Sequence, residues 1–154
     1  YCFGVGLEFS LACDFRIVTK CAQLSLPEMK IGMIPGSGGS VRLARMIGLS
    51  RVKDMIMRGK RISGEEAFNW GVASELVEKD KLEVAMSKLV DELCSVSPLA
   101  QRAIKTVLNT SQDAPLHVAI ELEGETYGRL RSSDDFNEGV KSFVEKRKPV
   151  YKGN

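Results

Sequence analysis

Apolar positions in the first half of the chain come in short runs broken by glycine. Tyr1-Cys2-Phe3 reads as the end of a strand already under way, and Phe15-Arg16-Ile17-Val18-Thr19 as a second, β-branched strand. Glycine turns and short helical stretches separate such runs as far as about Val77, which is the grammar of an α/β body. After Asp80 the spacing changes: Leu82, Val84, Leu89, Val90 and Leu93 gather on one side of a helix predicted to reach about Val96. Ser97-Pro98 ends that helix, because the residue before proline avoids the α region, and starts the next, because proline suits a first helical turn. This next helix is expected from Leu99 to about Leu108, closing at the polar stretch from Asn109 to Asp113. Pro115 opens a longer helix toward Arg131, and Ser132-Ser133-Asp134-Asp135 offers N-caps for a last one from Phe136 to about Lys146. Residues 1–95 are therefore expected to form an α/β part and residues 96–154 a helical part.

Composition narrows the class. With 154 residues, 44% apolar and 27% charged, the chain matches an ordinary globular domain and can bury one sizeable core. The net charge of +2 is too small to argue for nucleic acid. No run approaches the ~20 apolar residues of a membrane-spanning helix, so no membrane partner is expected. Cys2, Cys13, Cys21 and Cys94 stand singly beside one histidine, His117, which predicts neither a metal site nor a disulfide framework and fits a reducing compartment. His117 reads as a surface or packing residue; Trp70, Met46, Met55 and Met57 fall at helical spacings and read as core. Because Tyr1 is not an initiator methionine, an N-terminal part is expected to be missing.

Two constellations can carry chemistry. In Gly4-Val5-Gly6-Leu7-Glu8, a glycine turn opens a short apolar helix whose free N–H groups and dipole favour negative charge, and Glu8 would lie in its first turn. Read alone, Glu8 is as well explained by that dipole as by catalysis. The second runs from Leu24 to Ser40 and holds Glu28 and the turn Pro35-Gly36-Ser37-Gly38-Gly39, with Ser37 and Ser40 as candidate caps of a following helix. It lacks the G-K-[ST] ending of a P-loop, and the first lacks the third glycine of a dinucleotide fingerprint. Glu28, set among Leu26, Met29 and Ile31, either faces solvent or sits in a pocket. Two carboxylates beside glycine turns can divide into one acid and one base when a partly dry site makes their charges repel.

The ordered set Gly4-Val5-Gly6-Leu7-Glu8, Ala12-Cys13-Asp14, Pro27-Glu28, Ile31-Gly32, Ile34-Pro35-Gly36-Ser37-Gly38-Gly39, Arg42-Leu43, Arg61-Ile62-Ser63, Glu66-Ala67, Trp70-Gly71-Val72-Ala73, Glu138-Gly139 and Phe143 to Pro149 resembles the crotonase superfamily, and within it enoyl-CoA hydratase. The resemblance spans nearly the whole chain. It implies an α/β fold, the C-terminal part of a ββα spiral, followed by a helical region that builds trimers or pairs of trimers. It implies an acyl-CoA thioester as substrate, with coenzyme A entering as part of it and no separate cofactor. By resemblance, Glu8 activates water for attack at Cβ, Glu28 protonates Cα, the Val5 N–H is one of two donors to the thioester oxygen, and the Gly36 N–H positions the water. The family prefers glycine where Val5 stands, yet valine keeps the N–H that is needed. Phe143 and Lys146 match positions that reach the CoA nucleotide from a neighbouring subunit.

The leading expectation is thus syn hydration of a 2-enoyl-CoA by a homo-oligomer in the cytoplasm or the mitochondrial matrix. The alternatives are another acyl-CoA enzyme of the superfamily, an isomerase or a hydrolase, and a non-catalytic assembly module. The second oxyanion donor lies in the family's N-terminal half. Losing one such donor typically costs ~100-fold to 1000-fold in rate, so the chain is expected to be inactive alone. Lys146-Arg147-Lys148 reads first as a solvated helix end, with RNA binding a distant third reading.

Overall fold

The strand begun at Tyr1 is β1 (Cys2–Phe3), which runs parallel to β3 (Gln23–Ser25) and aligns Cys2 with Leu24 and Phe3 with Ser25. A parallel pair needs a crossover. Here it contains α1 (Val5–Leu11) and β2 (Ile17–Thr19). The other edge of β3 pairs antiparallel with β4 (Ile62–Ser63), while β2 lies parallel to β5 (Glu75–Val77) in a separate two-stranded sheet. The computed structural model describes all 154 residues, in two compact units, Tyr1–Ser87 and Lys88–Asn154.

Strand β2 starts at Ile17, two residues later than the β-branched run promises; before it, Arg16 accepts the Ser74 N–H on its carbonyl. Its guanidinium donates to the carbonyls of Ser10, Cys13 and Val72, closing the C-terminal end of α1 and tying it to the segment before β5. Burial holds this arginine's pKa below its ordinary value, with Cys13 and Asp14 opposing the shift.

The core of the first unit gathers Leu7 and Leu11 of α1, Leu24 and Leu26 around β3, Leu43 and Ile47 of α2 (Gly39–Ile47), Val52, Met55 and Ile56 of α3 (Leu49–Met57), and Ala67 of α4 (Gly64–Asn69). Met55 is fully buried, but Met46 and Met57 are exposed, against the expectation of core. Two residues apart on one helix, positions 55 and 57 point about 200° apart and cannot share a face. Ile47 likewise takes the core-facing place beside Met46. Trp70 is half-buried against the core, with Arg51 and Lys60 lying 5.2 and 5.6 Å over its ring. A capping box fixes the start of α4: Glu66 N–H donates to Ser63 Oγ, and Ser63 N–H to Glu66 Oε2.

Helix α5 (Leu82–Cys94) contains the division between the units, and α6 (Pro98–Ser111), α7 (Leu116–Leu130) and α8 (Asp134–Val144) follow. The polar stretch after Leu108 does not stop α6, which continues to Ser111. Its hydroxyl folds back on the Val107 carbonyl at 2.5 Å instead of competing with the helix from outside. Helix α8 begins two residues before Phe136, capped by Ser133 Oγ, and ends at Val144.

In this second unit Val107 is the one large apolar side chain that is buried; the other buried side chains are Thr126, Asp135 and Ser142. Polar ties do the work that a larger core would do. Asp135 accepts from Ser97 Oγ at 2.6 Å and from the amides of Lys152 and Gly153, and its own N–H donates to the Asn154 carbonyl. Glu138 takes a fork of two bonds from Arg147, at 2.5 and 2.8 Å, and one from the Val150 amide. Arg147 is therefore fastened, although it stays exposed. The Ser97 hydroxyl and the tail amides hold the Asp135 carboxyl below the usual range, and Arg147 with the Val150 amide brings Glu138 down to about 2.

Candidate functional site

Glu8 falls in the first turn of α1, as expected, but its carboxylate does not serve that helix. The side chain is buried, 4% exposed, and reaches the start of α2, where its Oε1 accepts the N–H of Ser37 at 2.8 Å and of Gly39 at 2.9 Å. Glycine makes this possible twice. Gly38 is left-handed, φ +86°, which turns the flanking amides toward one point. At Gly39, a Cβ would come within 2.5 Å of Glu8 Cγ. Neither Ser37 nor Ser40 caps α2: the N-cap is Gly38, which has no side chain to offer, and the carboxylate of Glu8 takes the amides on either side of it. The Gly-Ser-Gly-Gly turn is a cradle for an anion, and the anion is supplied by the chain itself. Both bonds fall on Oε1; Oε2 takes neither.

Glu28 opens the 3₁₀ turn Glu28–Ile31 that follows β3, and is half-buried. Its Oε2 is buried and has no hydrogen-bond partner, an arrangement that costs free energy and calls for an explanation. Its Oε1 lies against Gly4, where a Cβ would approach it to 2.9 Å. Gly4 is the N-cap of α1, φ +54°; its N–H donates to the Ser25 carbonyl and its own carbonyl accepts from Glu8 N–H. Both acids are thus built onto the same helix start, Glu8 from within and Glu28 from the following strand–turn unit.

Val5 is the first residue of α1, so its N–H has no acceptor within the helix, and its side chain is exposed. Gly36 sits in the exposed loop directly before Ser37. The structure brings Glu8, Glu28 and Val5 to one helix end and leaves Gly36 one residue from the Glu8 cradle. Phe143 and Lys146 lie at the end of α8 in the second unit, both exposed, Phe143 by 85%. Lys146 has φ +53°, and the bonds from Lys146 N–H to Phe143 O and from Arg147 N–H to Ser142 O close a Schellman motif with lysine in the glycine position. Gly4, Gly39 and Arg42, whose Nη1 donates to the Ser37 carbonyl at 2.8 Å, were assigned no role by sequence reasoning. Their partners stand up to 31 positions away, which no local pattern reports.

A buried carboxylate oriented by two amides and a second carboxylate with an unsatisfied oxygen, both reached from the start of α1, are groups suited to acid–base chemistry. Residues 1–154 match the enoyl-CoA hydratase/isomerase family, and the chain belongs to that family, within the crotonase superfamily. Carnitinyl-CoA dehydratases of Salmonella heidelberg and Salmonella typhimurium are each 36% identical over 99% of this chain, which spans about 60% of their length. Among solved structures, an enoyl-CoA hydratase from Bacillus anthracis matches 99% of the chain with a TM-score of 0.96 and 38% identity, the chain covering 59% of it. An enoyl-CoA hydratase from Mycobacterium marinum matches all of it with a TM-score of 0.95 and 27% identity, the chain covering 61%. These matches establish the crotonase fold for both units taken in sequence.

Proposed function

We propose that this chain carries the acid–base portion of an enoyl-CoA hydratase, adding water in syn fashion across the double bond of a 2-enoyl-CoA. The observation that carries this reading is that α1 brings two acids together at its start: Glu8 rises from its first turn, its carboxylate held by the Ser37 and Gly39 amides, and Glu28 packs on its N-cap Gly4. Glu8, fixed through Oε1, uses Oε2 to take the proton of a water held near the Gly36 amide. Oxygen then bonds to Cβ, the electron pair of the double bond moves toward the thioester, and the Val5 N–H is one donor to the oxygen on which negative charge develops. Glu28 delivers a proton to Cα, and the unsatisfied Oε2 is the oxygen that suits this step. Each proton has a source and each acid returns to its starting state after exchange with solvent. Coenzyme A is part of the substrate, and no other cofactor is invoked.

The Salmonella relatives are named carnitinyl-CoA dehydratases, which favours a second reading in which the same pair removes water from a carnitinyl thioester. One chemistry run in two directions serves both. The test is to follow the enoyl-thioester absorbance with crotonyl-CoA and with carnitinyl-CoA. Turnover of either supports the site assignment and identifies the preferred acyl group. Undiminished turnover by the Glu8→Gln, Glu28→Gln double variant would remove it.

We further propose that the second unit serves homo-oligomer assembly as a trimer or pair of trimers. Leu116, Ile120 and Tyr127 of α7 and Val140, Phe143 and Val144 of α8 are exposed, and a helical unit with one buried large apolar residue has apolar surface to spare. Phe143 and Lys146 would then meet the CoA nucleotide bound to a neighbouring subunit. No helix of the chain is long and apolar enough to cross a membrane. Free cysteines and bacterial relatives accord with a cytoplasmic enzyme.

A further inference from the structure

The amides that hold Glu8 belong to a turn with little reason of its own to stay in place. Ser37 and Gly38 precede α2 without a side-chain cap, and Gly38 sits at φ +86°, where glycine is free to leave because it has many other conformations open to it. Glu8 alone would have to order the turn that is supposed to order Glu8.

Arg42, one turn into α2, breaks this circularity. Its Nη1 donates to the Ser37 carbonyl at 2.8 Å, and its guanidinium packs against Gly38, where an added Cβ would meet Nη1 at 2.5 Å and Cζ at 3.1 Å. The Arg42 N–H at the same time donates to the Gly38 carbonyl at 3.0 Å. One residue therefore grips the carbonyls of both Ser37 and Gly38, from side chain and backbone, while the amides of Ser37 and Gly39 face the opposite way and grip Glu8. A planar cation suits this place because it can cover a glycine and donate in its own plane, which a lysine ammonium cannot do.

We propose that Arg42 is a positioning residue for Glu8: by pinning the Ser37 carbonyl across Gly38 it fixes the turn whose two amides aim the Glu8 carboxylate. In this proposal Arg42 acts through the turn it bonds and not on the reacting atoms. The catalytic consequence rests on the hydratase reading above; the structural one does not.

Two readouts separate them. Amide hydrogen exchange of Ser37 and Gly39 is measured by NMR in this chain and in Arg42→Met, which keeps the apolar stem and removes the donors. Exchange at these two amides is expected to rise about 10-fold or more, while the amide of Leu76 in β5, outside this turn, keeps its rate. Arg42→Lys is expected to recover only part of the protection. If Arg42→Met does not fold, Arg42→Gln replaces it, with the same selective rise expected. Unchanged exchange at Ser37 and Gly39 in a folded variant would show an idle surface arginine and overturn the proposal. In the full-length enzyme, kcat is expected to fall about 10-fold at unchanged KM, because misplaced reacting groups slow the chemical step without weakening binding. Loosened amides with a parental kcat would also overturn the positioning role. An active Glu8→Gln variant, by contrast, would defeat the hydratase reading and leave the exchange result standing.

Discussion

Gly39 presents its N–H to Glu8 Oε1 at 2.9 Å and leaves no room for a side chain of its own, since a Cβ there would stand 2.5 Å from Glu8 Cγ. Backbone and side chain are fitted to each other at one point in the first turn of α2. Replacing Gly39 by alanine therefore sets two effects against each other. Alanine favours the helix by about 1 kcal/mol, yet the clash pushes Glu8 off both amides. Hydration is expected to fall about 100-fold, with the melting temperature changed by only a few degrees. Kinetics and thermal melting of Gly39→Ala check this; a fully active variant would show that Glu8 need not be held where it is.

Gly4 holds the other acid. Gly4→Ala places a methyl group 2.9 Å from Glu28 Oε1 at a residue with φ +54°. With ψ −128° Gly4 lies outside the left-handed helical region, in a conformation that costs a non-glycine residue about 1–3 kcal/mol, and the displaced carboxylate costs activity besides. The variant is expected to lose both stability and turnover, measured by denaturant melting and by hydration of crotonyl-CoA.

At Lys146 strain and function should part company. A lysine at φ +53° in a Schellman position carries a conformational cost that glycine would not, so Lys146→Gly is expected to stabilise the chain by about 1 kcal/mol. If Lys146 reaches the CoA nucleotide of a neighbour, the same variant should bind acyl-CoA several-fold more weakly, as the loss of one exposed charge contact implies. Calorimetric melting and titration with a CoA ester give the two numbers independently.

The C-terminal tail is fastened to two carboxylates whose folded pKa values are depressed, Asp135 by Ser97 and the tail amides, and Glu138, to about 2, by Arg147 and the Val150 amide. A depressed carboxyl contributes stability that is present above its unfolded pKa and is lost as pH falls through the folded one. The Glu138 contribution should therefore decline from about pH 4.5 and be gone near pH 2, with protection of the Val150 amide falling over that window. For Asp135 the loss likewise begins below its ordinary carboxyl range, reported by the Lys152 and Gly153 amides. Above pH 5 neither signal should move.

Much of this was legible in the residues. The change from glycine-broken runs to helical spacing near Asp80 marks where the strands end, and Ser97-Pro98 and Ser133 start α6 and α8 as their chemistry requires. Glu8 and Glu28 stand out because acids in apolar, glycine-flanked runs are uncommon. What local pattern could not show is which partner each side chain finds. The Glu8 cradle is 29 to 31 positions away, Ser97 finds Asp135 across 38, and Arg16 finds Val72 across 56. The same limit explains Met46 and Met57: spacing places a residue on a face, but only packing decides which face is inward.

Glu8, rising from the first turn of α1, and Glu28, packed on its N-cap Gly4, are proposed to work from one side of the substrate. The most direct test is to hydrate crotonyl-CoA in deuterium oxide with the full-length enzyme and read the relative configuration at Cα and Cβ from proton coupling in the product. Deuterium and hydroxyl are expected to enter on the same face. Entry on opposite faces would contradict the shared placement of Glu8 and Glu28 beside the start of α1.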